Sequence, residues 1–211
     1  MATPSETVIL EGMYVRLEPL GMHHLEGLCL VGLDPDLWAY GTTRIATEAD
    51  MRKYVHTALE WHIEGTALPF AILERSSQQI VGSTRFANIE PAHKRLEIGW
   101  TWIAKPWQRT AVNTETKYLL LRHAFETLRY HRVEFKTDAL NQRSRRALLR
   151  LGATEEGTLR KHMIVQEGRV RDSVYFSILD SEWPHIKERL EGMLHGRDTP
   201  PRGAPDVLDL S

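Results

Sequence analysis

Apolar and polar residues follow two different periods along this chain, and these periods predict where strands and helices lie. Alternation with the period of a strand is strictest over residues 95–103. It places Leu96, Ile98, Trp100 and Trp102 on one face and Glu97, Gly99 and Thr101 on the other. Strands are predicted at Val8–Leu17, Leu68–Glu74, Gln79–Ile89, Arg95–Ile103 and Val133–Asp138, and at Gly157–Gln166 and Arg169–Leu179, which would form a hairpin about Glu167-Gly168.

The helical period marks the segments between these strands. Helices are predicted at Leu20–Leu30, from a capping-box-like Thr47 to Gly65, along a long segment that carries Leu120, Ala124 and Leu128, at Asn141–Leu151, and after a capping Ser181. Strands therefore come both as hairpins and as crossovers with an intervening helix. This combination predicts a mixed sheet in an α+β domain.

Composition sets the domain organisation. The chain has 211 residues, of which 42% are hydrophobic, enough for one sizeable core. We expect one domain over residues 1–194. Residues 195–211 are dense in proline, glycine and charge, so a flexible C-terminal tail is predicted there.

Charge and cysteine usage exclude several functional classes. The 27 Lys and Arg residues nearly balance 28 Asp and Glu residues, so the chain lacks the basic field of non-specific nucleic-acid binders. The single cysteine, Cys29, excludes a disulfide framework and fits a cytoplasmic location. No apolar run approaches a membrane span, and no secretory signal is recognisable. The ten histidines are scattered without ligand spacing, so no metal site is predicted.

One local feature suggests anion binding. The predicted strand at residues 95–103 ends near Pro106 and leads into a long helix. The first turn of that helix, near Arg109–Thr114, would offer unpaired backbone N–H groups and the positive end of the helix dipole. The alternative is an ordinary strand–helix turn with a solvated arginine.

Several segments match one known pattern in order and spacing. They are Glu97–Trp102 on the strand, Gln108–Glu115 at the loop and helix start, Asn141–Ser144 at the next helix start, and Leu151–Ala153 at its end. The chain thereby resembles the GNAT superfamily of N-acetyltransferases, especially its ribosomal-protein N-acetyltransferase-like branch, over roughly residues 8–190. The resemblance implies a mostly antiparallel, twisted sheet flanked by helices in three α/β/α layers.

The resemblance also implies a cofactor and the residues that hold it. The donor would be acetyl-CoA, transferred directly to a primary amine on a protein N-terminus or a small molecule. Coenzyme A is expected to contact Trp102, Ile103, Gln108, Arg109, Thr110, Ala111, Val112, Asn113, Thr114, Asn141, Arg145 and Arg146. A main-chain N–H near Trp102 or Ile103 would stabilise the oxyanion. Ala111 and Asn113 stand where the family pattern has glycine-like positions.

Two side chains are candidates for proton transfer. Glu97 would take the proton of the amine, directly or through water; alternatively it pairs with Lys94 or Arg95 at the sheet surface. Ser144 would assist the leaving thiolate; alternatively it bonds back to its own helix. Asn141 could cap that helix or bind the pantetheine amides.

The acceptor side is less determined. Trp38, Tyr40 and Trp100 could line the acceptor pocket, between the first helices and the last hairpin, although aromatic residues more often belong to the core. Family members often dimerise, so a homodimer is one expectation of the resemblance. Two competing hypotheses are a catalytically inert acyl-CoA-binding or interaction module, and nucleic-acid binding through Arg143–Arg150, which ranks last.

Overall fold

The structure, a computed structural model that describes residues 7–196, is built around one mixed sheet. Its strands are β1 (Leu10–Glu11), β2 (Val15–Pro19), β3 (Leu68–Glu74), β4 (Ile80–Glu90), β5 (Arg95–Ile103), β6 (Arg132–Asp138), β7 (Thr154–Ile164) and β8 (Val170–Leu179). They lie in the order β1-β2-β3-β4-β5-β6-β8-β7. Among these described strands, only β5 and β6 are parallel neighbours. The predicted α+β class with a mixed, mostly antiparallel sheet is confirmed.

Helices cover the sheet on both faces. They are α1 (Leu25–Gly32), α2 (Glu48–Ile63), α3 (Ala111–Arg122), which continues into one π-helical turn, α4 (Gln142–Leu151) and α5 (Trp183–Leu194). One core cluster joins α3, α4 and α5 to the sheet, and a second joins α1 and α2 to it. On β3, Phe70 and Ile72 belong to the first cluster and Ala71 to the second, as neighbours on opposite faces should. The three layers expected from the resemblance are therefore present.

Local signals predicted several elements at their observed positions. The predicted bounds of β3 and β5 agree with the structure. Helix α2 begins with a capping box, in which the Thr47 hydroxyl accepts the Asp50 N–H at 3.1 Å and the Asp50 carboxylate accepts the Thr47 N–H at 3.0 Å. Gly65 follows that helix with a φ of +75°, a conformation that favours glycine.

The N-terminal strand prediction is corrected by a contact from a distant helix. The segment Val8–Leu17 forms two short strands joined by a turn, not one strand. The carboxylate of Glu115 on α3 accepts the backbone N–H groups of Met13, Tyr14 and Val15 at 2.7, 2.6 and 2.7 Å. These bonds satisfy the backbone of the turn and so stabilise it.

Two helix starts also differ from prediction. The segment predicted as a helix from Leu20 begins as a 3-10 turn, Met22–His24, before α1. Ser181 does not cap α5: the N-cap residue is Glu182, without a side-chain cap bond. The Glu182 carboxylate instead accepts the Leu179 N–H at 2.8 Å, which ties the helix start to β8. Most of the predicted tail, residues 197–211, lies outside the described residues.

A bulge interrupts β5. The β4–β5 register shifts so that Trp100 and Thr101 both stand opposite Thr84. Trp100 has a φ of +49°, in the left-handed region that residues with a side chain rarely adopt.

The bulge overturns the predicted alternation along this strand. Leu96 and Ile98, before it, pack with the helices α3, α4 and α5, as one face requires. Trp102, after it, packs with α1 and α2 on the opposite face. The predicted single face of Leu96, Ile98, Trp100 and Trp102 is therefore wrong, because one extra residue exchanges the two faces.

Candidate active site

The two parallel strands separate early and open a gap in the sheet. Their pairing runs from Arg95↔Arg132 to Glu97↔Glu134 and then stops, although both strands continue. Main-chain groups of β5 that face β6 beyond this point have no strand partner. A ligand with amide groups can bond to them as an additional strand would.

The main chain of Ile103 faces this gap. The Ala104 N–H donates to the Val81 carbonyl at 2.9 Å, so Ala104 is turned toward β4. By the alternation of an antiparallel ladder, Trp102 is turned the same way and Ile103 the opposite way. The side-chain amide of Gln108 donates to the Ile103 carbonyl at 2.7 Å. Of the two predicted oxyanion donors, the geometry favours Ile103.

Helix α3 begins beside this end of β5. The Thr110 hydroxyl accepts the Val112 N–H at 3.3 Å and caps the helix. Its first turn contains no acidic residue, so no carboxylate there opposes the positive end of the dipole. Ala111 and Asn113 are helical and need no glycine-like freedom. The left-handed position in the loop is Arg109, with a φ of +61°.

The start of α4 meets the same loop. Asn141 caps α4, because its side-chain oxygen accepts the Ser144 N–H at 3.0 Å. Arg143 donates to the side-chain oxygen of Gln108 at 2.7 Å. The Ser144 side chain is half-buried, and its hydroxyl bonds to no residue within 7–196. Two helix N-termini thus converge on the gap, and Asn141 performs one of the two roles considered for it.

The other residues that were predicted to contact coenzyme A lie in different surroundings near the N-termini of α3 and α4. Arg145 forms an ion pair with Glu155 of β7 at 3.1 Å. Arg146 is exposed and pairs with no described acidic residue. The Thr114 hydroxyl is buried and accepts a bond from Arg150 at 3.2 Å. Arg143, rather than the preferred Arg145 or Arg146, is the α4 arginine that bonds to the loop before α3.

Glu97 lies at the closed end of the gap. Its side chain is buried, with 3% of the residue exposed. The carboxylate accepts a hydrogen bond from Asn88 at 2.8 Å and lies 3.5 Å from the ammonium of Lys136. A Cβ at Gly99 would come within 2.7 Å of it, so the glycine leaves room for the carboxylate.

The alternative partners of Glu97 are corrected. The sequence suggested a surface pair with Lys94 or Arg95. Arg95 instead pairs with Glu90 and with Glu134, the latter at 3.4 Å. Glu97 is therefore an interior carboxylate on the face of the sheet opposite Leu96.

Lys117, on α3, is a buried amine that the sequence did not reveal. It is 5% exposed, and its Nζ donates to the Thr101 hydroxyl at 2.6 Å. The same nitrogen lies 5.9 Å from the centre of the Phe135 ring on β6, so it contacts side chains of both separating strands on the α3 face of the sheet. Burial lowers the pKa of Lys117 to about 7, although the charge of Glu97 opposes the shift. A helical lysine is normally solvated, so only the fold shows this burial.

Arg85, on β4, is a second buried cation that sequence reasoning missed. It is 1% exposed, and its Nε and Nη2 atoms are buried without a hydrogen-bond partner. Within residues 7–196 it forms no ion pair. The guanidinium carbon lies 4.9, 5.3 and 5.1 Å from the ring centres of Tyr54, Trp61 and Trp100. We call these four residues the aromatic box.

The predicted acceptor residues separate into different environments. Trp38 is buried, and its indole N–H donates to the Gly32 carbonyl at 2.7 Å. Its ring centre lies 5.4 Å from that of Trp102, so Trp38 is a core residue. Tyr40 is 42% exposed. Trp100 belongs to the aromatic box. The β7–β8 hairpin also reaches the N-terminal half, because the Gln166 amide donates to the carbonyl of Gly41 at 3.0 Å.

One potential metal-ligand cluster occurs in the described range. Glu18, His23 and His24 place ligand atoms within 4.8 Å of one another. Both ring nitrogens of His24 already have partners, the Gly21 N–H at 3.1 Å and Glu18 at 3.4 Å. None of the helices in residues 7–196 has the length and hydropathy to span a bilayer.

Comparison with known proteins gives a consistent result. The family model for the acetyltransferase (GNAT) domain matches residues 15–154. An uncharacterized N-acetyltransferase, p20, from Bacillus licheniformis is 26% identical over 179 residues, which cover 84% of this chain and 98% of that protein. The [ribosomal protein uS5]-alanine N-acetyltransferase of Escherichia coli is 26% identical over 125 residues, covering 59% and 63% of the two chains.

Solved structures show the same fold. A GCN5-related N-acetyltransferase from Brucella melitensis superposes with a TM-score of 0.85 at 32% identity, covering 96% of this chain and 92% of that one. RimJ from Mycobacterium smegmatis, in complex with CoA-disulfide, superposes with a TM-score of 0.77 at 22% identity, covering 91% and 97%.

Proposed function

Because this chain belongs to the GNAT family of acetyltransferases, we propose that it transfers an acetyl group directly from acetyl-CoA to a primary amine. The acceptor amine is a protein N-terminus or part of a small molecule. One observation carries the proposal: β5 and β6 separate directly after Glu97, and the N-termini of α3 and α4 lie at the open end of the gap.

The residues at this gap fit coenzyme A. The capped first turn of α3 offers N–H groups to a pyrophosphate, and Arg109 and Arg143 add positive charge beside it. The main-chain edge of β5 beyond Glu97, which has no strand partner, fits the amides of pantetheine. When bound, acetyl-CoA supplies a thioester whose carbonyl carbon an amine can attack. RimJ, the structural neighbour in complex with CoA-disulfide, supports this assignment.

Glu97 removes a proton from the attacking amine. An ammonium group has no lone pair, so the proton must leave before or during formation of the N–C bond. The carboxylate lies at the last residue pair before the strands separate, next to the gap. Lys136 at 3.5 Å and the hydrogen bond from Asn88 at 2.8 Å hold the carboxylate in this position.

Ser144 and Ile103 act on the donor side. As the C–S bond breaks, negative charge develops on the sulfur, and the Ser144 hydroxyl, which has no partner among described residues, donates a hydrogen bond to it. The Ile103 N–H stabilises the charge that develops on the carbonyl oxygen. The nitrogen of the ammonium loses two protons in all and retains one hydrogen in the product. Glu97 passes the first proton to solvent, and the second, released as the N–C bond forms, protonates the departing thiolate.

The alternative, an inert acyl-CoA-binding module, has less support. It depended on Ala111 and Asn113 in place of glycine-like residues. Both are helical, so the backbone conformation does not require glycine there. Two Escherichia coli relatives, whose names state acetylation of ribosomal-protein alanine and ribosomal-protein serine, support catalysis on a protein amine.

Free thiol release measures the proposed reaction. A panel of primary amines and N-terminal peptides is incubated with acetyl-CoA and the full chain. We expect thiol release that depends on the amine, and its loss in Glu97→Gln. Binding of coenzyme A without amine-dependent thiol release from any acceptor would favour the inert module. The cytoplasmic location, the homodimer and the absence of nucleic-acid, membrane and metal partners stay predictions.

A further inference from the structure

We propose that Arg85 in the aromatic box binds a carboxylate of the acceptor, so that the preferred acceptors are small molecules that carry both a primary amine and a carboxylate. The inference depends on the proposed function, because it names the acceptor class of the same site. It rests on the missing counterion of Arg85, on its position relative to Glu97, and on the shape of its free edge.

The first argument is the missing counterion. A buried guanidinium remains protonated, and burial without a paired anion is costly. Arg85 is 1% exposed and has no acidic partner or hydrogen-bond acceptor among residues 7–196. The rings of the aromatic box replace only part of the lost hydration, since cation–π contacts are weaker than an ion pair with hydrogen bonds. The site therefore lacks one component, an anion.

The second argument is the position of Arg85 relative to Glu97. Arg85 pairs with Gly99, and Ala87 pairs with Glu97, so both side chains lie on the same face of neighbouring strands. Two residues along a strand correspond to about 7 Å. Gly99, between them, has no side chain to separate the two groups. One small molecule can therefore place its amine at Glu97 and its carboxylate at Arg85.

The third argument is the geometry of the free edge. Nε and Nη2, the two fully buried nitrogens of Arg85 that lack a hydrogen-bond partner, form one side of the planar guanidinium. A carboxylate matches that side with two parallel N–H···O bonds. Tyr54, Trp61 and Trp100 surround the cation with apolar ring surface, which favours a small, planar anion over a highly hydrated one.

Matched acceptors test the proposal on the unmodified enzyme. Each of several amino acids is compared with its carboxamide, and kcat/KM is measured by thiol release with saturating acetyl-CoA. We expect the acid to be preferred by about 10- to 100-fold, the range for hydrogen bonds between charged groups. Equal values for the acid and the amide, or a clear preference for long peptides with an amidated C-terminus, would overturn the proposal.

Arginine variants locate the effect. In Arg85→Met the preference for the acid should fall to near unity, and in Arg85→Lys it should fall to an intermediate value, because the charge remains but the paired donors are lost. Arg52→Met is the matched control: Arg52 is exposed on α2 and pairs with Glu48 at 2.7 Å, so the preference should be unchanged. An undiminished preference in Arg85→Met would overturn the proposal.

A binding measurement separates this inference from the proposed function. Trp61 and Trp100 are in contact with Arg85, so an amino acid bound there should change tryptophan fluorescence without acetyl-CoA. Carboxylate binding that is lost in Arg85→Met, with no transfer to any amine, would support the site and refute the acetyltransferase proposal. Transfer to amino acids and their amides at equal rates, without a fluorescence change, would support the acetyltransferase proposal and refute the carboxylate site at Arg85.

Discussion

Two buried cations lie on opposite faces of the sheet at the same bulge, and the protein accommodates them differently. Arg85 contacts the ring of Trp100 on the α2 face, and Lys117 bonds to the hydroxyl of Thr101 on the α3 face. Neither forms an ion pair within the described range 7–196. Trp100 and Thr101, the two consecutive residues at the bulge, lie on opposite faces, and each contacts one of the cations.

The difference comes from what each side chain can do with its proton. Lys117 can release it, and burial lowers its pKa to about 7. Arginine cannot release its proton at physiological pH, so Arg85 stays charged and requires the three rings of the aromatic box to stabilise its charge. A buried lysine can become neutral and therefore needs no counterion in an interior without water. A buried arginine stays charged, so the absence of a counterion beside Arg85 points to an anion that binds there. In the proposed function, the acceptor binds on the face of the sheet that carries Arg85, and the donor binds at the gap beside α3 and α4.

The largest expected effect concerns Glu97, on the face of the sheet where the acceptor is proposed to bind. Glu97→Gln should lower kcat by about 10²- to 10⁴-fold, since it removes the proton acceptor. The difference in kcat between variant and parent should become smaller at high pH, where the amine is already deprotonated when it binds. Coenzyme A affinity, measured by calorimetry, should stay unchanged, because Glu97 lies on the face opposite α3. Equal activity of variant and parent at every pH would remove Glu97 from this role.

A variant of Ser144 tests the proposed donor site at the gap beside α3 and α4. Ser144→Ala should slow transfer by about 10²-fold, because the departing thiolate loses its hydrogen bond. The defect should shrink with a thioester whose thiol is more acidic and leaves more readily. A uniform rate loss with every donor, or none at all, would make Ser144 structural. Asn141, whose side chain caps α4 through the Ser144 N–H, is left intact in this variant.

The buried lysine predicts how stability depends on pH. The folded-state pKa of Lys117 is about 7, below the unfolded value of 10.5, so between these values the unfolded chain binds more protons. Stability from this group therefore rises with pH across that window, by at most about 1.4 kcal/mol per pH unit, and is lost as pH falls toward 7. Lys117→Met should flatten this dependence in urea unfolding, whereas the exposed Lys53→Met should not.

The smallest effect concerns the stability of the aromatic box. Removing the charge in Arg85→Met recovers a desolvation cost and loses three cation–π contacts of about 0.5–2 kcal/mol each. We expect the free energy of unfolding to stay within about 2 kcal/mol of the parent value. Arg169→Met should cost more, because it removes the closer of the two ion pairs of Asp138, which is 1% exposed, and leaves only Arg171 at 3.9 Å. A larger loss in Arg85→Met than in Arg169→Met would contradict the comparison.

Local sequence patterns determined much of the fold. The period of Leu68–Glu74 and Arg95–Ile103 predicted both strands, and the capping box at Thr47 predicted where α2 begins. These signals depend on neighbours a few residues apart, which the sequence displays directly. The motif at residues 108–115 likewise identified the helix start at the gap, and Asn141 the next one.

Tertiary contacts decided the rest. The bulge at Trp100, the Glu115 contacts that divide Val8–Leu17 into two strands, and the burial of Arg85 and Lys117 all depend on residues far apart in the chain. A charged residue in a strand or helix has the same local pattern whether it is solvated or buried. The sequence alone therefore established an acetyltransferase-like framework and the helix N-termini at its gap. Only the packed sheet, through its long-range contacts, determined which face each side chain occupies and which cations lose their water.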